Sequence, residues 1–170
     1  MERPMDILDY GLSILFVGFN PSIQSGQTGH HYANPTNRFW KILFEAGLTE
    51  RIYRPYEDHT LLAIGYGFTN IVHRPTRNAQ EITKQEYAAG RMELKEKIQL
   101  FQPAIVCFVG KGVFLQYREI QKAPWGFQDA SLVEGVREFA APSSSGLVRM
   151  KTDEIASIYR LLNGGMQKRD

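Results

Sequence analysis

Apolar residues recur in two rhythms along this chain. Ser13–Val17 (SILFV) and Ala104–Val109 (AIVCFV) are continuous apolar runs of strand length, each stopped by a glycine. Runs of that kind suit strands covered on both faces, as in a parallel sheet. Val136–Ala141 predicts a further strand that empties into Pro142-Ser143-Ser144-Ser145-Gly146. A short strand is expected around Thr69–Val72, at the end of the glycine-broken stretch Leu61–Val72. Elsewhere the period becomes helical. Phe39, Trp40, Leu43 and Phe44 share one face of Asn37–Leu48, with Asn34-Pro35-Thr36 as start chemistry and Gly47 at the end. Residues 79–101 place Ile82, Tyr87, Met92, Leu94, Ile98 and Phe101 on a rough apolar face, and Pro103 stops that helix. A helical turn is expected near Val113–Tyr117, and a closing helix over Thr152–Leu162, capped by Thr152 or Asp153 and ended by Gly164-Gly165. Residues 51–60 and 73–78 read as loops, and 123–135 as mixed with a turn at Trp125-Gly126.

Strands alternating with helices predict an α/β protein: a three-layer α/β/α sandwich with a mostly parallel central sheet, in a single domain over residues 1–170. An apolar fraction of 43% can fill its core. No apolar run approaches the ~18 residues of a membrane span, so no membrane partner is expected. Twenty basic against 18 acidic residues leave a net charge of +2, which is not the overall basic signature of a non-specific DNA binder. A nucleic-acid surface would have to be local. The single cysteine, Cys107, lies inside an apolar run and reads as a packed hydrophobe.

Ligands bind beyond the carboxyl ends of the strands in an open parallel sheet. Gly18–Tyr32 and Pro142–Arg149 both lie at such ends. Gly110-Lys111 lacks the flanking residues of a phosphate-binding P-loop, and the serine run has no G-x-S-x-G elbow. His30 and His31 are adjacent while His59 and His73 are isolated, so no zinc spacing exists; no glycine fingerprint supports a dinucleotide. Neither metal nor organic cofactor is implied. What remains is Asn20-Pro21 on a strand end. An asparagine amide can orient a water but is a poor general base. That suits departure of a leaving group from a sugar carbon that is already developing cationic character. Pro21 helps hold Asn20 extended.

Gly18-Phe19-Asn20-Pro21, Asn37-Arg38-Phe39-Trp40-Lys41 and Pro142-Ser143-Ser144-Ser145-Gly146-Leu147-Val148-Arg149 together resemble the motifs of the mismatch-specific uracil/thymine DNA glycosylases, within the uracil-DNA glycosylase superfamily. Gly67-Phe68-Thr69-Asn70, Arg74-Pro75-Thr76, Gly110-Lys111 and Trp125-Gly126 also fit, so the resemblance covers most of the chain. It implies a uracil-DNA glycosylase fold and a monofunctional enzyme. Such an enzyme flips uracil, with thymine or modified pyrimidines as further substrates, out of a G-mispair and hydrolyses the N-glycosidic bond. The product is an abasic site for base excision repair. Asn20 would position the attacking water. Tyr32 would stack on the flipped base, and the backbone amides of Phe19 and Tyr32 would bond its carbonyl oxygens. Ser25, where relatives with thymine activity carry alanine, would crowd a methyl at C5. Gly29-His30-His31-Tyr32 reads like the animal thymine enzymes, and His31 would contact substrate or water. Asn70, a lysine in some relatives, and Ser143 complete the base pocket. Ser145, Gly146, Leu147 and Arg149 would form the DNA wedge, with Lys111, Lys41 and Arg38 as candidate phosphate contacts. Ser22 replaces a common glycine, and Ser143 stands where faster relatives carry histidine, which implies a slow enzyme dependent on a weak glycosidic bond.

The expected partner is double-stranded DNA with G·U or related mispairs, acted on by a monomer, in the cytoplasm of a prokaryote or the nucleus of a eukaryote. Two other readings stay open: a non-catalytic binder of mismatched DNA, and a small-molecule nucleoside hydrolase.

Overall fold

The computed structural model describes residues 6–167. Four parallel strands, β1 (Ile14–Gly18), β2 (Tyr66–Asn70), β3 (Ile105–Val109) and β5 (Arg137–Ala141), form a sheet with a short antiparallel edge strand, β4 (Gly126–Phe127), in the order β2-β1-β3-β5-β4. The continuous apolar runs have a direct cause. Ile14 and Phe16 of β1 point into one core with Phe39, Trp40 and Tyr159, while Leu15 and Val17 point into a second core with Leu94, Ile98 and Phe114. Helices α2 (Phe39–Glu45) and α5 (Thr152–Tyr159) cover the first face, and α3 (Lys84–Phe101) and α4 (Lys111–Arg118) cover the other. The α/β/α sandwich expected from the alternation is therefore the observed fold.

Several elements differ from the sequence expectation. β2 spans Tyr66–Asn70, earlier than Thr69–Val72. Gly67 does not break the strand. A Cβ there would lie 2.5 Å from the Ile7 carbonyl oxygen, so the glycine admits the N-terminal segment, which bridges Phe68 through Ile7. Residues 51–60 are only partly loop, because Pro55–Ile64 winds into a 3₁₀ helix with Pro55 in its first turn. A six-residue helix, α1 (Ile23–Thr28), opens the segment after Asn20-Pro21; the Ser22 hydroxyl caps it and Gly29 closes it at φ 76°. The closing helix is two, α5 and α6 (Leu161–Gln167), and its cap is Lys151 rather than Thr152 or Asp153. Gly164-Gly165 does not end it. Gly165 packs against the Phe127 ring, where a side chain would not fit.

Because the four long strands are parallel, their carboxyl ends share one edge. Gly18 pairs with Asn70 and Val109 pairs with Ala141 along it. The loops leaving β1, β2, β3 and β5 converge there.

Candidate active site

Those loops enclose a cavity of ≈ 380 Å³. Gly18, Phe19, Asn20, Ser25, His31 and Tyr32 line it from the β1 side, Asn70 and Thr76 from the β2 side, and Ser143, Ser145 and Leu147 from the loop after β5. Main-chain bonds knit the first two loops together: Ile71 N–H donates to Gly18, Val72 N–H to Phe19 and Thr76 N–H to Pro21. That lattice brings Asn20 to Thr76 across 56 residues of sequence.

The Asn20 amide has an orientation fixed by its partners. Nδ2 donates to the Arg74 carbonyl at 2.7 Å and to Thr76 Oγ1 at 2.8 Å. A carbonyl only accepts, and the Thr76 hydroxyl already donates to the Asn78 carbonyl at 2.7 Å, so it too accepts from Asn20. Both amide hydrogens are thus committed, and Oδ1 is left as an acceptor beside the cavity. Arg74 is itself clamped, its guanidinium bonding Glu86 and the Glu81 carbonyl. The bonds from Arg74 and from Thr83 N–H hold the Glu86 carboxyl down at about 2. No carboxylate lies among the described residues lining the cavity. Asn20 Oδ1 offers a water an acceptor, and an amide is not a base.

Tyr32 stacks on Phe39 with centroids 4.0 Å apart and adopts a left-handed φ of 52°. Its hydroxyl is buried without a partner, and burial, with a smaller contribution from Cys107, pushes the phenol far above its usual range. It remains neutral. Gly18 makes the floor: a Cβ there would lie 2.7 Å from Asn70 Oδ1 and 3.1 Å from the Tyr32 hydroxyl. The N–H groups of Phe19 and Tyr32 donate to no carbonyl among the described residues. Ser25 is buried, with its hydroxyl accepting from Ala33 N–H at 3.0 Å.

His31 lines the cavity and is buried, its ring 5.6 Å from that of Phe68. Asp58, buried in the 3₁₀ helix and unforeseen from sequence, accepts from His31 N–H at 2.9 Å and lies 3.2 Å from His30 Nδ1, which ties the pocket loop down. Thr76 lies in Arg74-Pro75-Thr76, where no local feature signals that its hydroxyl meets Asn20.

The loop after β5 is anchored at its base, where Tyr159 donates to the Pro142 carbonyl at 2.8 Å, while Leu147 at its tip is 90% exposed. Ser143 Oγ accepts from Ser145 N–H, and Ser145 Oγ accepts from Leu147 N–H. Arg149 is exposed on the same loop and Lys41 on α2. Lys111, at the start of α4, lies over the Trp125 ring, 3.7 Å from its centroid. Arg38 is neither a solvated charge nor free to meet a phosphate: its guanidinium bonds the Ser145, Val148 and Met150 carbonyls.

The sequence matches the Uracil DNA glycosylase superfamily over residues 5–163. The chain belongs to that superfamily. Its fold is similar to the NMR solution structure of a Methanosarcina acetivorans protein provisionally named a uracil DNA glycosylase. That likeness has a TM-score of 0.55 at 20% identity, over 95% of this chain and 98% of the other. Membership of the uracil DNA glycosylase superfamily makes the activity that of a DNA N-glycosylase, a hydrolase of the bond between base and sugar, with DNA as its substrate.

Proposed function

We propose that this superfamily member is a mismatch-specific, monofunctional glycosylase. It takes uracil opposite guanine and leaves an abasic site without cutting the strand. The observation that carries the reading is the Asn20 amide on the cavity lining, both of whose hydrogens are held by Arg74 and Thr76 so that Oδ1 is left as an acceptor.

In this reading the duplex yields one nucleotide to the cavity, and Leu147 enters the gap it leaves, offsetting unstacking of a few kcal/mol. Tyr32, backed by Phe39, stacks on the base; base–aromatic stacking contributes roughly 1–3 kcal/mol. The Phe19 and Tyr32 N–H groups bond the uracil oxygens and stabilise the negative charge as the base leaves. The Asn70 amide reads the base edge at the cavity floor. As the C1′–N1 bond breaks, its electron pair departs with the base and C1′ becomes cationic. A water donating to Asn20 Oδ1 then attacks C1′ through its oxygen and releases its proton to solvent, from which the departed uracil anion regains one. With no carboxylate in the cavity, the water is placed rather than deprotonated in advance. Bases that leave easily, such as mispaired uracil, are therefore favoured.

Incubation with a labelled G·U duplex followed by alkali tests this. Strand breaks that fall on the order of a hundred-fold or more in Asn20→Ala are expected, since misplacing a reacting group costs that much. Tight duplex binding with no product would instead make the protein a mismatch binder, and activity confined to free deoxyuridine would make it a nucleoside hydrolase.

A further inference from the structure

Arg38 is the N-cap residue of α2, and its guanidinium turns onto the loop after β5. Nη2 donates to the Ser145 and Val148 carbonyls, each at 3.1 Å; Nη1 donates to the Met150 carbonyl at 2.8 Å, with Thr152 Oγ1 at 3.4 Å. The Arg38 backbone N–H also donates to the Ser144 carbonyl at 2.9 Å. One residue therefore collects four carbonyls from a loop whose only large apolar side chain at the tip, Leu147, is 90% exposed. Gly146 lies against the preceding loop so closely that a Cβ would stand 2.6 Å from the Thr36 carbonyl oxygen.

We propose that Arg38 is the positioning residue that shapes the Ser145–Met150 loop and holds Leu147 ready to enter the base stack, acting by geometry rather than by attracting phosphate. The inference rests on the reading of Leu147 as a wedge. A leucine on a loose loop would collapse onto the protein or lose conformational entropy on insertion, whereas fixing the loop carbonyls beforehand removes that cost. The planar guanidinium fork can reach several carbonyls at once; a lysine ammonium carries the same charge but cannot reproduce the fork.

The test measures single-turnover uracil excision from a G·U duplex by Arg38→Lys, Arg38→Gln and Leu147→Ala, alone and combined. Base extrusion is followed by a fluorescent analogue beside the uracil, alongside melting temperature and salt dependence of binding. Arg38→Lys is expected to retain charge and fold yet lose about ten-fold or more in excision rate and in extrusion, on the scale of the charge-assisted bonds removed. The slope of log affinity against log salt should stay as in the parent even in Arg38→Gln, which removes the charge, and adding Arg38→Lys to Leu147→Ala should cost nothing further. Parental excision by Arg38→Lys, or a slope reduced by about 0.9 in Arg38→Gln as for a lost phosphate contact, would overturn the proposal. So would losses that multiply with a slow Leu147→Ala. Parental behaviour of Leu147→Ala alone would sink the wedge reading itself, a failure distinguishable from the others.

Discussion

At the scale of single residues, the site is decided by which hydrogen-bonding groups are already occupied. Asn20 could have turned either end of its amide toward the cavity; the Arg74 carbonyl and the Thr76 hydroxyl leave one choice. Thr76→Val keeps the shape but removes the acceptor for Nδ2. It should lower single-turnover excision by about five-fold, the worth of one hydrogen bond of ~1 kcal/mol, with little change in duplex affinity. An unchanged rate would mean that the amide is held well enough by Arg74 alone. Ser25 has two roles to separate. In the proposed reading its hydroxyl crowds a C5 methyl, and in the structure it satisfies Ala33 N–H in a buried setting. Ser25→Ala is therefore expected to raise thymine release from G·T, by up to the ~1–3 kcal/mol that one methyl can discriminate. It should also lower the melting temperature, because Ala33 N–H loses its partner. Destabilisation without any gain on G·T would remove the steric argument.

At the scale of elements, the sequence made some features legible and hid others for identifiable reasons. β1 and β3 could be read because both faces are buried, so their apolar runs are uninterrupted. The start of β2 is hidden because Gly67 looks like a breaker when its role is to let the Ile7 backbone approach. α1 carried no apolar stripe to mark it; it is held by the Ser22 cap. Asn20, Tyr32 and Leu147 stood out through motifs in single loops, but Thr76, Asp58 and the inward turn of Arg38 depend on contacts between distant loops, which no local pattern encodes. One such contact gives a pH prediction. Helix α3 reaches the Asn20 anchor through Glu86 and Arg74, and the Glu86 carboxyl is lowered from 4.5 to about 2. A depressed carboxylate stabilises the fold fully above its unfolded value and loses that contribution as pH falls toward its folded one. The clamp should therefore be intact at neutral pH and weaken only between about 4.5 and 2. An NMR titration of the Glu86 carboxyl carbon would check this; a midpoint near 4.5 would show that the clamp does not form in solution.

At the scale of the whole molecule, the question is how a protein with a net charge of +2 holds a polyanion. The parallel sheet answers by geometry: it gathers four loops on one edge, so a few cations there can serve without an overall basic surface. Lys111 begins α4 just beyond β3, steadied over the Trp125 ring, and Arg149 stands exposed on the loop after β5. Arg137 is at the opposite end of β5, over the Phe127 ring. If only the carboxyl edge meets the duplex, the cations at the two ends of the same strand should differ in effect. Each phosphate contact in B-DNA contributes about 0.9 to the slope of log affinity against log salt. Lys111→Gln and Arg149→Gln should each make the slope shallower by about that amount and weaken matched and mismatched duplexes alike, since phosphates carry no sequence information. Arg137→Gln should leave the slope as it is. Fluorescence anisotropy across a salt series would read all three. A slope that responds to Arg137 but not to Lys111 or Arg149 would place the duplex at the other end of the sheet, away from Asn20, and the proposed water could not reach its sugar.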